Sequence, residues 1–278
     1  MILWLASYPK SGNTLIRSLL SSYFFSDSGD FRFELLNNIK QFPKKIFFTN
    51  LGLDLKDNAE LAKNYINAQK IINKSGKFQF WKTHSSFCKI NNKYSFSDLN
   101  NSLGVIYIVR DPRNIVSSLA HHNNVSKNET LKLILENHFI FDDKDKIPVY
   151  TGSWSFNYNS WKVFKNYKKY LLIRYEDLVK NKEFNLKIIL KFVKKLSNFQ
   201  FNIDESKIKK VVDTTDFYNM QRLEDKEGFI EAKKDIKGNK IKFFNLGEKN
   251  QWEKYLEPEI RMKIEEGCKD DMRELGYL

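Results

Sequence analysis

Ile2-Leu-Trp-Leu-Ala-Ser7, then Tyr8-Pro-Lys-Ser-Gly-Asn-Thr14, then Leu15, Ile16, Leu19, Leu20 and Tyr23: this opening stretch decides the fold. The first run is short, apolar and closed by Tyr8-Pro9, the pattern of a buried strand. Gly12 permits a tight turn, and the apolar residues beyond it recur at helical spacing. The unit therefore reads strand, glycine loop, helix. The alternation continues outward. Strands are expected at Phe78–Trp81, Val105–Val109 and Leu171–Ile173. Helices are expected at Asp57–Ser75 with Gly76 as the stop, from about Asn114, at Glu183–Leu196, at Asp204–Thr214 and at Pro258–Leu275. The polar stretch Gln221–Asn250, with three glycines, reads as a long loop. Strands alternating with helices predict an α/β chain with a central, mainly parallel sheet flanked by helices in three layers. No repeat, linker or break in composition divides residues 1–278, so one domain is expected.

Composition narrows the class. With 41% hydrophobic and 15% aromatic residues in 278, the chain can bury a sizeable core. Cys88 and Cys268 lie far apart without metal-ligand or CxxC spacing, which argues for reduced thiols. The run Ile2–Ala6 has no basic region before it and is too short for a secretion signal, and nothing approaches a membrane span. These features predict a complete cytoplasmic protein. A net charge of +13 says that anions are welcome. Most of the lysines sit on helices at ordinary amphipathic spacing, so charge by itself goes no further.

Position goes further. In an open parallel sheet, ligands bind beyond the carboxyl ends of the strands. Those ends here carry Lys10/Ser11, Lys82/His84, Arg110 and Arg174/Tyr175. In the first loop, Gly12, Asn13 and Thr14 open a helix whose free N–H groups and positive end face one spot beside Lys10, a cradle for phosphate or sulfate. GxxxxGK[ST] is absent, because the lysine precedes the only glycine, so this is no Walker A loop. His84 closes a strand at the same rim, and its imidazole titrates where a general base must work. Read singly, each residue also has an ordinary structural explanation: a solvated lysine, a structural histidine, or an Arg110 paired with Asp111 or Asp177. Arg113 reads as a solvated residue at a helix start.

Tyr8-Pro-Lys-Ser-Gly-Asn-Thr14 resembles the 5′-phosphosulfate loop of the sulfotransferases that use PAPS (3′-phosphoadenosine 5′-phosphosulfate). Four more segments resemble that family in order. They are Lys82-Thr-His84, Val109-Arg110 through Ser117-Ser118, Tyr175-Glu-Asp177, and Thr215-Asp-Phe217 with Met220. The resemblance runs from residue 2 to about 255 and implies a P-loop-like fold. It implies that Lys10, Ser11, Gly12, Asn13 and Thr14 hold the donor's 5′ end and that Arg110 and Ser118 hold its 3′-phosphate. Tyr175, Thr215 and Phe217 would meet the adenine, and Gly247 would close the nucleotide site. His84 would act as base, with Lys10 and Lys82 on the leaving group. The implied reaction is direct in-line transfer of a sulfuryl group from PAPS to a hydroxyl or amine of a small-molecule or carbohydrate acceptor, without metal and with PAP as product.

Two departures stand out. Where many members place Trp after the loop threonine, this chain has Leu15. Where the family commonly reads Arg-Lys-Gly and Gly-Asp-Trp, it reads Asn245-Leu-Gly247 and Asn250-Gln-Trp252. Gly247 and Trp252 persist, but the 3′-phosphate arginine does not; Lys240, Lys242 and Lys249 are the candidate replacements. Two other readings compete: a P-loop-type kinase using ATP and Mg²⁺, and a non-catalytic polyanion or nucleic-acid binder. The missing Walker lysine weighs against the first, and the lack of aromatic interleaving among the basic residues weighs against the second. The acceptor pocket is expected within Asn37–Asp54, His121–Tyr158 and Gln221–Lys242, with Phe42, Phe47, Phe48, Trp154 and Phe156 as candidate walls. His121, His122 and His138 lie on or near predicted helices and are assigned no catalytic role, although His121 and His122 can approach the acceptor mouth. The sequence leaves the oligomeric state open, a homodimer included.

Overall fold

The structure is a computed structural model that describes residues 1–52, 58–141, 147–235 and 237–278. Five parallel strands form its central sheet: β1 (Ile2–Ser7), β2 (Lys40–Gln41), β3 (Gln79–Thr83), β4 (Ser102–Val109) and β5 (Tyr170–Arg174), in the order β2-β3-β1-β4-β5. β1 sits in the middle. Trp4 pairs with Trp81 on one side and Val105 on the other. Every residue of β1 is buried, as a strand covered on both faces requires.

Side chains that alternate along a strand feed opposite layers. Leu3, Leu5, Ile106 and Ile108 join one core with Ile16, Leu19 and Leu20 of helix α1 (Asn13–Phe25). Trp4, Ala6, Val105 and Tyr107 join the other, with Ile115, Val116 and Leu119 of α2 (Pro112–Asn123) and the rings of Trp154 and Trp161. On the first face lie α3 (Tyr175–Lys180), α4 (Lys182–Ser197) and α5 (Glu205–Thr214). A third, smaller core lies apart from the sheet. Phe31, Leu36, Met220, Phe229 and Phe244 meet there, and α6 (Phe217–Glu227) supplies Met220.

Several expectations change. The helix expected over Asp57–Ser75 is two helices, Asn58–Lys63 and Tyr65–Asn73, while Asp57 lies outside the described residues. At the break, the Asn64 side chain donates to the Glu60 carbonyl at 2.9 Å, competing with the backbone ladder. The closing helix is likewise two, Pro258–Gly267 and Lys269–Glu274. The stretch Gln221–Asn250 is not all loop, since α6 runs through Glu227 before Gly228 ends it. Asp216 caps that helix by accepting from the Tyr218 N–H. Edge strand β2 has only two residues, too few for periodicity to register. α2 begins at Pro112, capped by Asp111. Arg113 is no solvated residue: it is buried, bonded to Asp111 at 2.7 Å and Glu265 at 2.7 Å, and its guanidinium lies 4.1 Å over the Trp252 ring.

Candidate active site

Because the strands are parallel, their carboxyl ends share one rim, and beyond that rim opens a cavity of about 1180 Å³. Lys10, Gly12, Asn13, Thr14, Lys82, His84, Arg110, Ser118, Tyr175, Thr215, Phe217 and Gly247 all line it. Ser11 does not. Its amide donates to the Tyr8 carbonyl at 3.3 Å, and its hydroxyl is buried without a partner among the described residues.

Hydrogen bonds and close packing hold the loop after β1. Asn13 donates through Nδ2 to the Leu5 carbonyl at 2.9 Å and to Ser7 Oγ at 3.2 Å, tying the helix start to the strand. Gly12 adopts φ 101°, and a Cβ there would lie 2.4 Å from the Tyr175 ring, so both conformation and space require glycine. The Arg110 guanidinium donates to the Lys10 carbonyl at 3.2 Å and stacks over Tyr175 at 4.2 Å. Its Nε is buried without a partner, as is Ser117 Oγ. Among the described residues no carboxylate pairs with Arg110, so neither Asp111 nor Asp177 neutralises it. Orphaned buried donors beside unpaired cations fit an anion better than they fit an empty rim.

His84 stands at the end of β3. Its Nδ1 lies 2.8 Å from the Ser7 carbonyl, an acceptor only, so Nδ1 carries the proton and Nε2 keeps its lone pair. The near-neutral titration expected of His84 from the sequence is not what its site gives: burial, with the Lys82 charge beside it, lowers the pKa to about 3, which keeps the ring neutral. Burial and the neighbouring Arg110 lower Lys10 to about 7, and its Nζ sits 3.9 Å over the Phe243 ring. Burial also lowers Lys82. His84, bonded to the Ser7 carbonyl, and Arg110, bonded to the Lys10 carbonyl, thus meet the first loop from 77 and 100 positions away in the chain.

The comparisons decide the family. A family model described as "Sulfotransferase domain" matches residues 2–276. The chain belongs to the sulfotransferase family. A curated relative, Cytosolic sulfotransferase 15 of Arabidopsis thaliana, is 27% identical over 91% of this chain and 67% of its own length. Cytosolic sulfotransferase 14 of the same plant is 26% identical over 57% of the chain and 45% of its own length. In fold, the chain is similar to the mouse sulfotransferase SULT7A1 complexed with PAP. That match has a TM-score of 0.61 and 22% identity, covering 98% of this chain and 83% of the other. It is also similar to retinol dehydratase in a complex with retinol and PAP, with a TM-score of 0.61, 17% identity, and coverage of 98% and 81%. The three-layer sulfotransferase fold with its P-loop-like opening unit is the fold seen here.

The sulfotransferase rim also holds Arg17 and Phe243, which sequence reasoning passed over. Glu231, His121, His122 and His138 line the cavity too, within segments expected to shape the acceptor pocket but with no role of their own assigned. Arg17 lies three residues after Thr14, on the same face of α1, so helical spacing was a usable signal. Glu231 and Phe243 arrive through tertiary structure and carried none. Lys240, Lys242 and Lys249 are not among the lining residues; Lys242 pairs instead with Asp225 at 2.8 Å. Lys182, at the start of α4, does line the cavity. Of the candidate aromatic walls, only Phe47 faces it. Phe42, Phe48 and Trp154 are fully buried in the core, and Phe156 packs on Tyr150. Residues 53–54, 142–146 and 236 of the expected pocket segments lie outside the described residues.

Proposed function

We propose that this sulfotransferase takes its sulfuryl group from PAPS and passes it to a hydroxyl or amine in one in-line step. The observation that carries the reading is the meeting of Lys10, His84 and Arg110 around one cavity, with unpaired buried donors at Arg110 and Ser117. The donor supplies an activated sulfuryl group on its 5′-phosphate. Arg110, Ser117 and Ser118 suit the 3′-phosphate; the free N–H groups of the α1 start, with Thr14, suit the 5′-phosphate. Tyr175, Thr215 and Phe217 border the adenine region. Gly247 belongs there too, since a Cβ on it would lie 2.7 Å from the Phe217 ring.

His84 Nε2 accepts the proton of the attacking group, and the ring stays oriented because Nδ1–H is bound to Ser7. Lys82 and Lys10 face the charge that builds on the departing phosphate oxygen. Sulfur changes partners, the acceptor's proton goes to imidazole, and PAP leaves. The cavity exceeds the roughly 300–1,000 Å³ of an ordinary single-ligand pocket, which suits donor and acceptor together. Ile46, Phe47, Leu133, Ile140 and Val149 line it with apolar surface, favouring a small-molecule acceptor with an apolar body. We treat residues 1–278 as one domain, since one family match spans nearly all of them. Among the described residues no helix is long and apolar enough to cross a membrane; the names of the two plant relatives support a cytoplasmic site.

The test is transfer of label from ³⁵S-PAPS to pooled phenols, sterols, amines and sugars, with and without Mg²⁺. Labelled product without Mg²⁺ is expected. No transfer and no PAP binding, with ATP bound only alongside Mg²⁺, would replace this reading with a kinase.

A further inference from the structure

The cavity contains an anion of its own. The Glu231 carboxylate accepts from Arg17 Nη1 at 2.5 Å, from Lys82 Nζ at 3.2 Å and from Thr14 Oγ1 at 3.5 Å. Arg17 and Lys82 are buried, their side chains 7% and 8% exposed, whereas Glu231 is 24% exposed and reaches in from the segment above the rim. Burial would raise a carboxylic acid's pKa, yet the two cations hold Glu231 well below its usual range. The carboxylate is therefore ionised, and it occupies the point where a loop threonine, the strand-end lysine and Arg17 converge.

Two buried cations cannot stand without a counterion; removing the partner of such a pair is strongly destabilising. In the free protein Glu231 is that counterion. Thr14 and Lys82 are residues placed above on the donor's 5′ end, so the same point must accept a donor anion when the nucleotide is bound. One anion then replaces another, and Arg17 and Lys82 are never left bare. We propose, resting on the PAPS reading above, that Arg17 is a third cation of the transfer site that binds the sulfuryl group, and that Glu231 is the placeholder this group displaces.

A guanidinium suits this role. Charge in such transfers spreads over the equatorial oxygens of the moving group, and a planar fork of donors matches two of them at once. Arg17 is aimed by its position one turn into α1 and by a bond from Nη2 to the Leu36 carbonyl at 3.4 Å, and its Nε is buried without a partner. Glu231 sits on a segment suited to withdrawal. Its neighbour Ile230 is 70% exposed, while Phe229 anchors the segment in the small aromatic core. Leaving the cations would carry Glu231 outward with Ile230, about the Phe229 anchor. Donor binding is thereby weakened by a competing internal carboxylate, and the weakening falls on PAPS more than on PAP, which lacks the sulfuryl group.

Calorimetric titration of PAPS and PAP into wild type, Arg17→Gln and Glu231→Gln tests this. Arg17→Gln is expected to weaken PAPS about tenfold relative to PAP. Glu231→Gln is expected to tighten PAPS about threefold to tenfold, again relative to PAP. An unchanged PAPS-to-PAP ratio in Arg17→Gln would overturn the proposal, as would Glu231→Gln that leaves PAPS binding unchanged or weaker. If either variant does not melt cooperatively, the PAPS-to-PAP ratio of the other decides alone. Wild type that binds neither nucleotide would overturn the PAPS reading itself, a failure distinct from a wild type that binds both while the variants keep its ratio.

Discussion

The strand rim and the cover above it are built by different forces. At the rim, Lys10, Arg110 and Tyr175 follow strands, and Lys82 lies within one, whose parallel ladders fix their positions to a register, and fully buried β1 anchors the whole set. Among the described residues, the cover, residues 215–250, carries no strand, only an isolated bridge between Lys234 and Lys240. Glu224 holds it by accepting from the Phe243 and Phe244 amides at 2.7 and 2.9 Å, and Gln221 donates to the Phe244 carbonyl at 2.8 Å. Asn250 fastens its far end to the Asn114 carbonyl at 2.7 Å. Side chains and a handful of aromatic rings do there what a backbone ladder does below. The rim thus presents preorganised charge, while the cover places Phe217, Phe243 and Glu231 over it. In this account chemistry belongs to the rim, and nucleotide affinity is shared with the cover.

The sharpest way to break that division is at His84. His84→Ala should lower turnover by about 10²–10⁴-fold in labelled-PAPS assays, while PAP binding by calorimetry stays near wild type. A large loss of PAP affinity would show that His84 holds nucleotide instead. Next comes Arg110→Gln. A charge-assisted bond contributes about 1.5–3 kcal/mol, so PAP affinity should fall roughly tenfold to a hundredfold, and 5′-AMP affinity, lacking the 3′-phosphate, should change little.

The cover is tested by Phe217→Ala. Losing a base–aromatic stack of about 1–3 kcal/mol should weaken PAP and 5′-AMP alike, without lowering turnover at saturating donor. The opposite change sharpens the comparison from below. Leu15 lines the cavity on the first turn of α1. Leu15→Trp should restore a stacking face and tighten PAP about tenfold, read in the same titration.

The smallest effect is pH dependence. Lys10 has its pKa lowered to about 7 in the free protein, so it is charged below that pH and neutral above it. A bound anion favours the charged form and raises the pKa. PAP affinity should therefore fall severalfold as pH rises from 7 to 9, and binding at pH 8 should take up a proton, seen as a heat that varies with the buffer's ionisation enthalpy. Lys10→Gln should abolish that dependence.

How much of this was legible follows the same division. The first unit, Ile2 to Tyr23, announces itself because strand, turn and helix are local; β3 and β4 do so because they are largely buried, and β5, a half-buried edge strand, through its apolar run Leu171–Ile173. The rim residues could be expected together since parallel strands put their ends on one side. Edge strand β2 could not be read, for its two residues gain their structure from pairing with Trp81 and Lys82. The break at Asn64 depends on a side chain turning back on the previous turn. Helix α6 was hidden by its polar sequence; it buries Met220 and a carboxylate, Glu224, whose partners lie about twenty residues away. Arg113 read as solvated because its partners Glu265 and Trp252 are remote in sequence. Glu231 is the extreme case. It looks like any surface glutamate until the cover folds over Arg17 and Lys82.

Nucleotide selectivity at the rim tests the central claim most directly. PAP and 5′-AMP would be titrated into the wild-type protein with EDTA present, the two ligands differing only in the 3′-phosphate that Arg110, Ser117 and Ser118 are proposed to hold. The account predicts one site per chain and PAP binding at least about thirtyfold tighter than 5′-AMP. Equal affinity for the two, or binding of PAP only after Mg²⁺ is added, would contradict it.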